Sequence, residues 1–270
     1  VLIRVLTAAT LIPPVLAVLW FNPFGRSVFV LVALLSAGMS YELVRLANHA
    51  GSALNTYDFA LMWLATLAWM LSVGQPLVAS VEPFVGITLI IGAFLPSLAT
   101  GRVDGGATRA AWVVLGALYI GDCFARHALL LYEVNGGRWL FATLAAVWAC
   151  DTSAYVVGKH FGHTRLAPEI SAAKTWEGAA AGLLGAIVGG TVAAVAFDST
   201  AWRVAIGGST LVGIVGQAGD LAESLLKRCA SVKDSGNLVP GHGGLLDRLD
   251  SLVFAIPAVY WYLRFAGVGS

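Results

Sequence analysis

The chain is 270 residues long, 58% hydrophobic and only 11% charged, with a mean hydropathy of +0.81. A soluble domain carries about 25% charged residues, so the composition excludes a soluble globule, and it excludes disorder, which needs low hydrophobicity with high net charge. A net charge of +1 supplies no basic field, so no nucleic-acid partner is expected.

A membrane-spanning helix takes about 20 mostly apolar residues. In chain order the stretches that qualify are Leu2–Phe21, Val28–Leu46, Phe59–Leu77, Val85–Ala99, Ala111–Leu131, Leu140–Val157, Gly178–Phe197, Val204–Gly219 and Leu252–Val268. The expected fold is therefore all-α, a polytopic integral membrane protein with eight or nine transmembrane helices. The first stretch has no small-residue cleavage site after it and further apolar stretches follow, so it reads as a span rather than a signal peptide. Pro13 and Pro14 remove backbone donors within it and predict a kink packed against neighbours. Gly178, Gly182, Gly185 and Gly189 fall on one helical face, a small-residue stripe that lets another helix approach closely. Cys123, Cys150 and Cys229 form no C-x-x-C pair and read as isolated thiols.

Charge is concentrated in two segments, 151–177 and 220–250, which hold 7 of the 16 Lys and Arg and 8 of the 15 Asp and Glu. Two spans separate them, so both are expected on one membrane face, and their basic residues assign that face to the cytoplasm. Residues 1–110 then form N-terminal transmembrane helices, and 111–270 a transmembrane catalytic region carrying the two motif segments.

In the second segment Asp220, Glu223, Ser224, Lys227 and Arg228 share one helical face. Glu223 and Lys227 stand in the favourable i,i+4 order, which would suit a salt-bridged, solvent-exposed helix end. Asp220 ends an apolar run, where an uncompensated charge is expensive. Asp220 and Asp247 are two boundary carboxylates that could converge on a hard divalent cation such as Mg²⁺, with phosphate oxygens completing its shell; Asp250 and Glu223 rank second. Between them the glycines of Lys233-Asp234-Ser235-Gly236 and Gly241-His242-Gly243-Gly244 would let backbone N–H groups approach an anion. Lys227, Arg228, Lys233 and Arg248 would neutralise phosphate charge. In the first segment His160 and His163 lack a third soft ligand and read as loop histidines, while Thr175 and Glu177 suit a helix N-terminus. No Walker-type phosphate loop, H-E-x-x-H or G-x-S-x-G motif is present.

The run Ser224-Leu225-Leu226-Lys227-Arg228, then Lys233-Asp234-Ser235-Gly236, then Pro240-Gly241-His242-Gly243-Gly244-Leu245-Leu246-Asp247-Arg248-Leu249-Asp250 resembles the signature of phosphatidate cytidylyltransferases, also called CDP-diacylglycerol synthases. Asp151-x-x-Ala154-Tyr155-x-x-Gly158-Lys159-x-x-Gly162, leading to Ser171 and Lys174-Thr175-x-Glu177-Gly178, is similar to the family's second block. That block usually reads Ser-Pro-Lys-Lys-Thr, and here Ala172 and Ala173 replace the Pro and the first Lys. The likeness covers roughly the C-terminal 120 residues by motif.

The resemblance implies that phosphatidate and CTP are converted to CDP-diacylglycerol and pyrophosphate with Mg²⁺, at the cytoplasmic face of the inner membrane. It implies catalytic roles for Asp220, Lys227, Arg228, Asp247 and Arg248. It implies substrate binding by Asp151, Lys159, Lys174, Glu177, Ser224, Lys233, Asp234, His242, Gly243 and Gly244. CTP, phosphatidate and the lipid bilayer are the expected partners, with a homodimer left open. A CTP-dependent lipid or polyprenol kinase is the near alternative. An ion-coupled transporter, which also uses charges at membrane depth, is the distant one.

Overall fold

A computed structural model describes residues 13–21, 26–75, 80, 82–101, 103–239 and 243–268. Most of the first expected span, and with it the kink at Pro13 and Pro14, therefore lies at or beyond the edge of the described residues, where 13–21 are helical. His242, with Pro240 and Gly241, lies outside them.

By contacts the chain divides into two compact units, Val1–Leu129 with Leu226–Arg248, and Leu130–Leu225 with Leu249–Ser270. In the first unit the apolar stretches fold as α1 (Ser27–His49), α2 (Thr56–Ser72), α3 (Glu82–Thr100) and α4 (Gly106–Gly116), the last running on through a π-helical segment, Ala117–Arg126. Helix α2 starts at a capping box: Asn55 accepts from the backbone of Tyr57 and Asp58, and Asp58 accepts from Asn55 N at 2.8 Å, which satisfies donors that a helix start otherwise orphans. Met39, Leu43, Met62 and Ile120 are fully buried between these helices. A Cβ on Gly116 would strike Met62 and Leu43, so glycine there sets the helix spacing. On α3, Phe84, Ile87, Ile91, Leu95 and Leu98 are exposed at helical spacing along one face, the pattern of a helix turned toward lipid.

Three ion pairs brace this unit, one on a buried carboxylate and two, sharing Arg126, partly exposed. Asp58, fully buried, accepts from Arg109 Nε at 3.0 Å and Nη2 at 2.8 Å. Arg126 spans Glu82 at 2.7 Å and Asp122 at 3.0 Å.

The second unit opens where Asn135 and Gly136 adopt left-handed φ of 53° and 62°. Those residues divide a helical stretch of 56 residues, Gly106–Phe161, which as one rod would reach about 84 Å against a hydrocarbon core of about 30 Å. Then come α5 (Arg138–Phe161), β1 (Arg165–Ala167), β2 (Ser171–Thr175), α6 (Trp176–Phe197) and α7 (Trp202–Leu211), continuing through Val212–Gly216 into α8 (Gln217–Cys229). Helix α9 (Leu246–Phe265) closes the chain. The glycine stripe packs as expected: Cβ atoms on Gly178 and Gly182 would lie 2.8 Å from Ala154 O and 3.1 Å from Cys150 Sγ, and one on Gly185 would lie 2.6 Å from Ala149 O. Helix α6 thus lies backbone against backbone on α5, while Leu184, Val188 and Val192 on its other side are exposed.

Among the described residues this membrane protein is all-helical apart from one short antiparallel hairpin, β1 with β2, which the apolar pattern did not announce. Pro168 in its turn forbids a continuing helix. The span expected over Leu140–Val157 lies within α5, whose last turns carry Asp151 to Lys159. Five helical stretches among the described residues are long and apolar enough to cross a membrane: Ser27–His49, Glu82–Thr100, Gly106–Phe161, Trp176–Phe197 and Trp202–Cys229.

Candidate functional site

In the second unit the hairpin joins the end of α5 to the start of α6. Thr175 caps α6 by accepting from Gly178 N at 3.1 Å. Glu177 accepts from Thr164 N at 3.1 Å, which ties the loop after α5 to the same helix start. The close approach of Gly158 and Gly178, where an added Cβ would lie 3.1 Å from the partner's Cα, leaves open space above the crossing. That space is a cavity of about 600 Å³ lined by Asp151, Tyr155, Lys159, Arg165, Ser171, Ala173, Lys174, Gln217 and Asp220, among others. Its size is that of a small-molecule site, about 300–1,000 Å³.

Lys174 Nζ lies 2.7 Å from Asp220 Oδ2; the ammonium nitrogen itself is buried, while the Asp220 side chain keeps 32% of its surface exposed. Ser224 donates to Asp220 Oδ1 at 3.4 Å, and Gln217 donates to Ala179 O and Gly213 O. Lys159 stands over the Tyr155 ring at 5.6 Å. The expected residues Asp151, Lys159, Lys174 and Asp220 therefore meet at one cavity. Arg165 joins them unforeseen, since hairpin geometry cannot be read from an isolated arginine.

The first unit holds the glycine loop and its carboxylate. Asp247 Oδ2 accepts from Ser235 N, Ser235 Oγ and Gly244 N, each at 3.0 Å, and Oδ1 takes Lys227 Nζ at 2.7 Å. The N–H groups of Ser235 and Gly244, expected to face an anion, are thus directed at Asp247. Gly243, at φ +89°, bridges back to Val239. Arg228, Lys233, Asp234 and Arg248 are exposed.

Glu223 corrects the expected solvent-exposed helix end, because it is fully buried. Asp250 accepts from Ser251 N at 2.6 Å in the second unit. Sequence reasoning missed Glu42 on α1, which is fully buried and accepts from Leu246 N at 2.8 Å and Ser235 Oγ at 3.1 Å. The signal was available: it is the lone acid within Ser27–His49, and a carboxylate inside an apolar helix is costly enough to mark a role.

Among the described residues no group of three or more His, Cys, Asp and Glu side chains stands close enough to hold a metal. A cation here would draw on one or two carboxylates plus substrate oxygens, which is the way Mg²⁺ is commonly bound. Asp220, partly exposed at the cavity, fits that description.

The chain is similar to the phosphatidate cytidylyltransferase of Brucella abortus, with 34% identity over 261 residues, 96% of this chain and 92% of that protein. It is similar to the one of Synechocystis at 35% over 83% of this chain and 82% of the relative. The Bacillus subtilis phosphatidate cytidylyltransferase is 41% identical over a shorter stretch, 56% of this chain and 57% of that protein. A family model described as the cytidylyltransferase family matches residues 2–266. With that match running through both units, and full-length relatives aligned over the helices as well as the motifs, the chain belongs to the cytidylyltransferase family.

Proposed function

We propose that this protein transfers the cytidylyl group of CTP to phosphatidate, giving CDP-diacylglycerol and pyrophosphate in phospholipid synthesis. The observation that carries the reading is the cavity over α5 and α6, where Lys159, Arg165 and Lys174 stand beside Asp151 and Asp220 on the segments that bear the family's motif. A phosphate monoester has a second pKa near 6, so phosphatidate arrives with a nucleophilic oxygen already largely deprotonated and needs no strong base. That oxygen bonds to the α-phosphorus of CTP, the bond from the α-phosphorus to the bridging oxygen breaks, and pyrophosphate leaves with the electron pair. The obstacle is repulsion between anions. The ammonium and guanidinium groups of Lys159, Arg165 and Lys174 offset it by holding phosphate oxygens in a partly enclosed space, where such contacts are stronger than in water.

Mg²⁺ belongs to this reading. Asp220, at the cavity, is the carboxylate that would hold it, now facing the Lys174 ammonium at 2.7 Å. When bound, the ion would add charge stabilisation at phosphate oxygens. Of the remaining sequence assignments, Lys227 orders Asp247, and Arg228, Lys233 and Arg248 supply exposed positive charge.

We read eight or nine spans in the inner membrane. The helix of 17 residues at Thr56–Ser72, the two halves of the 56-residue stretch and Leu246–Phe265 supply those beyond the five longest apolar stretches. The cavity faces the cytoplasm in this reading, on the strength of its basic residues. A cysteine in place of exposed Ala172, with Cys123, Cys150 and Cys229 replaced, should react with an impermeant thiol reagent from the cytoplasmic side alone. Reaction from the outside would reverse the orientation.

The test of function is an incubation of purified protein with labelled CTP, phosphatidate and Mg²⁺. Pyrophosphate and a CMP-bearing lipid are expected; CDP with a phosphorylated alcohol would make the protein a kinase, and no chemistry would favour transport. Ala173 lines the cavity where relatives commonly carry lysine, so Ala173→Lys should lower the KM for one anionic substrate. A full charge-assisted contact is worth about tenfold or more, less where solvent reaches it. Unchanged KM values for both substrates would remove β2 from the binding wall.

A further inference from the structure

We propose that Glu42 is a positioning residue for the reaction: from inside α1 it fixes the placement of Ser235, Gly236, Gly244 and Leu246, with that of the neighbouring Lys233 and Arg248, and through that placement the binding of an anionic substrate. The inference rests on the functional reading above and deepens it.

Glu42 is fully buried, and its Oε2 accepts from Leu246 N at 2.8 Å, the first N–H of α9. A carboxylate on the second helix of the chain thereby caps the helix that carries Asp247, by a contact across 204 positions. The same oxygen lies 3.1 Å from Ser235 Oγ, which is 3.0 Å from Asp247 Oδ2. A hydroxyl has one proton to donate, so two carboxylates compete for one donor. Fold stability alone would favour an uncharged group in that place.

The loop is built around this carboxylate. A Cβ on Gly244 would lie 2.7 Å from Glu42 Oε2, and one on Gly236 would lie 2.7 Å from Glu42 Cδ. At Gly236 the whole crowding comes from Glu42, and at Gly244 it comes from Ser235 Oγ with Glu42 and Asp247 behind it. Its other oxygen, Oε1, finds no hydrogen-bond partner among the described residues, an arrangement that costs stability and calls for a reason. Shaping the segment from which Lys233 and Arg248 project supplies one.

The experiment compares wild type, Glu42→Leu, Glu42→Gln and Ser235→Ala in detergent, measuring kcat, the KM for CTP and for phosphatidate, and the unfolding temperature. In Glu42→Leu, which keeps bulk and removes both acceptors, the KM for one substrate should rise about tenfold, the effect of losing one charge-assisted phosphate contact. Glu42→Gln retains an acceptor oxygen and should restore that KM to within about threefold of wild type, a loss smaller than one such contact. A merely structural glutamate would lower kcat by reducing the folded fraction and leave KM unmoved, and that result in a folded Leu variant overturns the proposal. If Glu42→Leu does not fold, Ser235→Ala decides: a raised KM supports the proposal and an unchanged one ends it. Wild type that makes no CDP-diacylglycerol defeats the functional reading and this inference with it, whereas active wild type with unmoved KM values defeats the inference alone.

Discussion

Replacing Asp247 by Asn should lower turnover about a hundredfold or more while the protein still folds in detergent, because two charge-assisted contacts of about 1.5 kcal/mol each fail together. The asymmetry of the site is the reason. Oδ2 receives three donors from Ser235 and Gly244, and Oδ1 receives the Lys227 ammonium. An asparagine has one acceptor oxygen and one NH₂ donor. If its oxygen serves the loop, its NH₂ meets Lys227; turned the other way, it meets two backbone N–H groups. No rotamer satisfies both sides, so the loop or the lysine is released. Retention of more than about a tenth of the activity, under 1.4 kcal/mol, would show that Asp247 neither shapes the loop nor holds a cation.

Arg109→Met should destabilise the protein by about 3–5 kcal/mol, the cost of leaving a buried carboxylate without its cation. Asp58 is fully buried and takes two N–H groups from Arg109, so the guanidinium is its charge partner. The control separates charge from packing: adding Asp58→Asn to Arg109→Met should recover most of the loss, since the uncompensated charge then disappears. Detergent unfolding temperatures measure both. Equal stability of wild type and the single variant would mean that the Arg109 guanidinium is not what compensates the buried Asp58 carboxylate.

Much of this architecture was legible in the sequence because lipid imposes one strong rule, continuous apolar helix. The stretches at Val28–Leu46, Val85–Ala99 and Gly178–Phe197 each sit within a helix of the fold. The glycine stripe gave the packed face of α6 for a similar reason, since small residues at helical spacing have few other uses. Pairings distant in sequence were not legible. Lys227 pairs with Asp247 and Asp220 with Lys174, and nothing in either local pattern names the distant partner. Glu42 stands outside the charge-dense segments, and its partners are backbone N–H and hydroxyl groups, which leave no charge pattern in the sequence. The hairpin was missed because three to five residues carry too little periodicity to outweigh the helices around them.

The close seam between α5 and α6 has a consequence for how the cavity meets its ligand. Glycine contributes no rotamers, so at Gly178, Gly182 and Gly185 the separation of the two helices is set by main-chain atoms and short side chains of α5, and close-packed contacts of this kind yield little. A ligand settling over the crossing has less side-chain freedom to extinguish there than over a seam of leucines, and lost freedom is a principal cost of association. Selectivity at that floor comes from rigidity. A substrate that does not match the spacing is refused by a wall that cannot adapt, while the lysines and the arginine at the rim, on longer and freer side chains, adjust to whichever phosphate arrives.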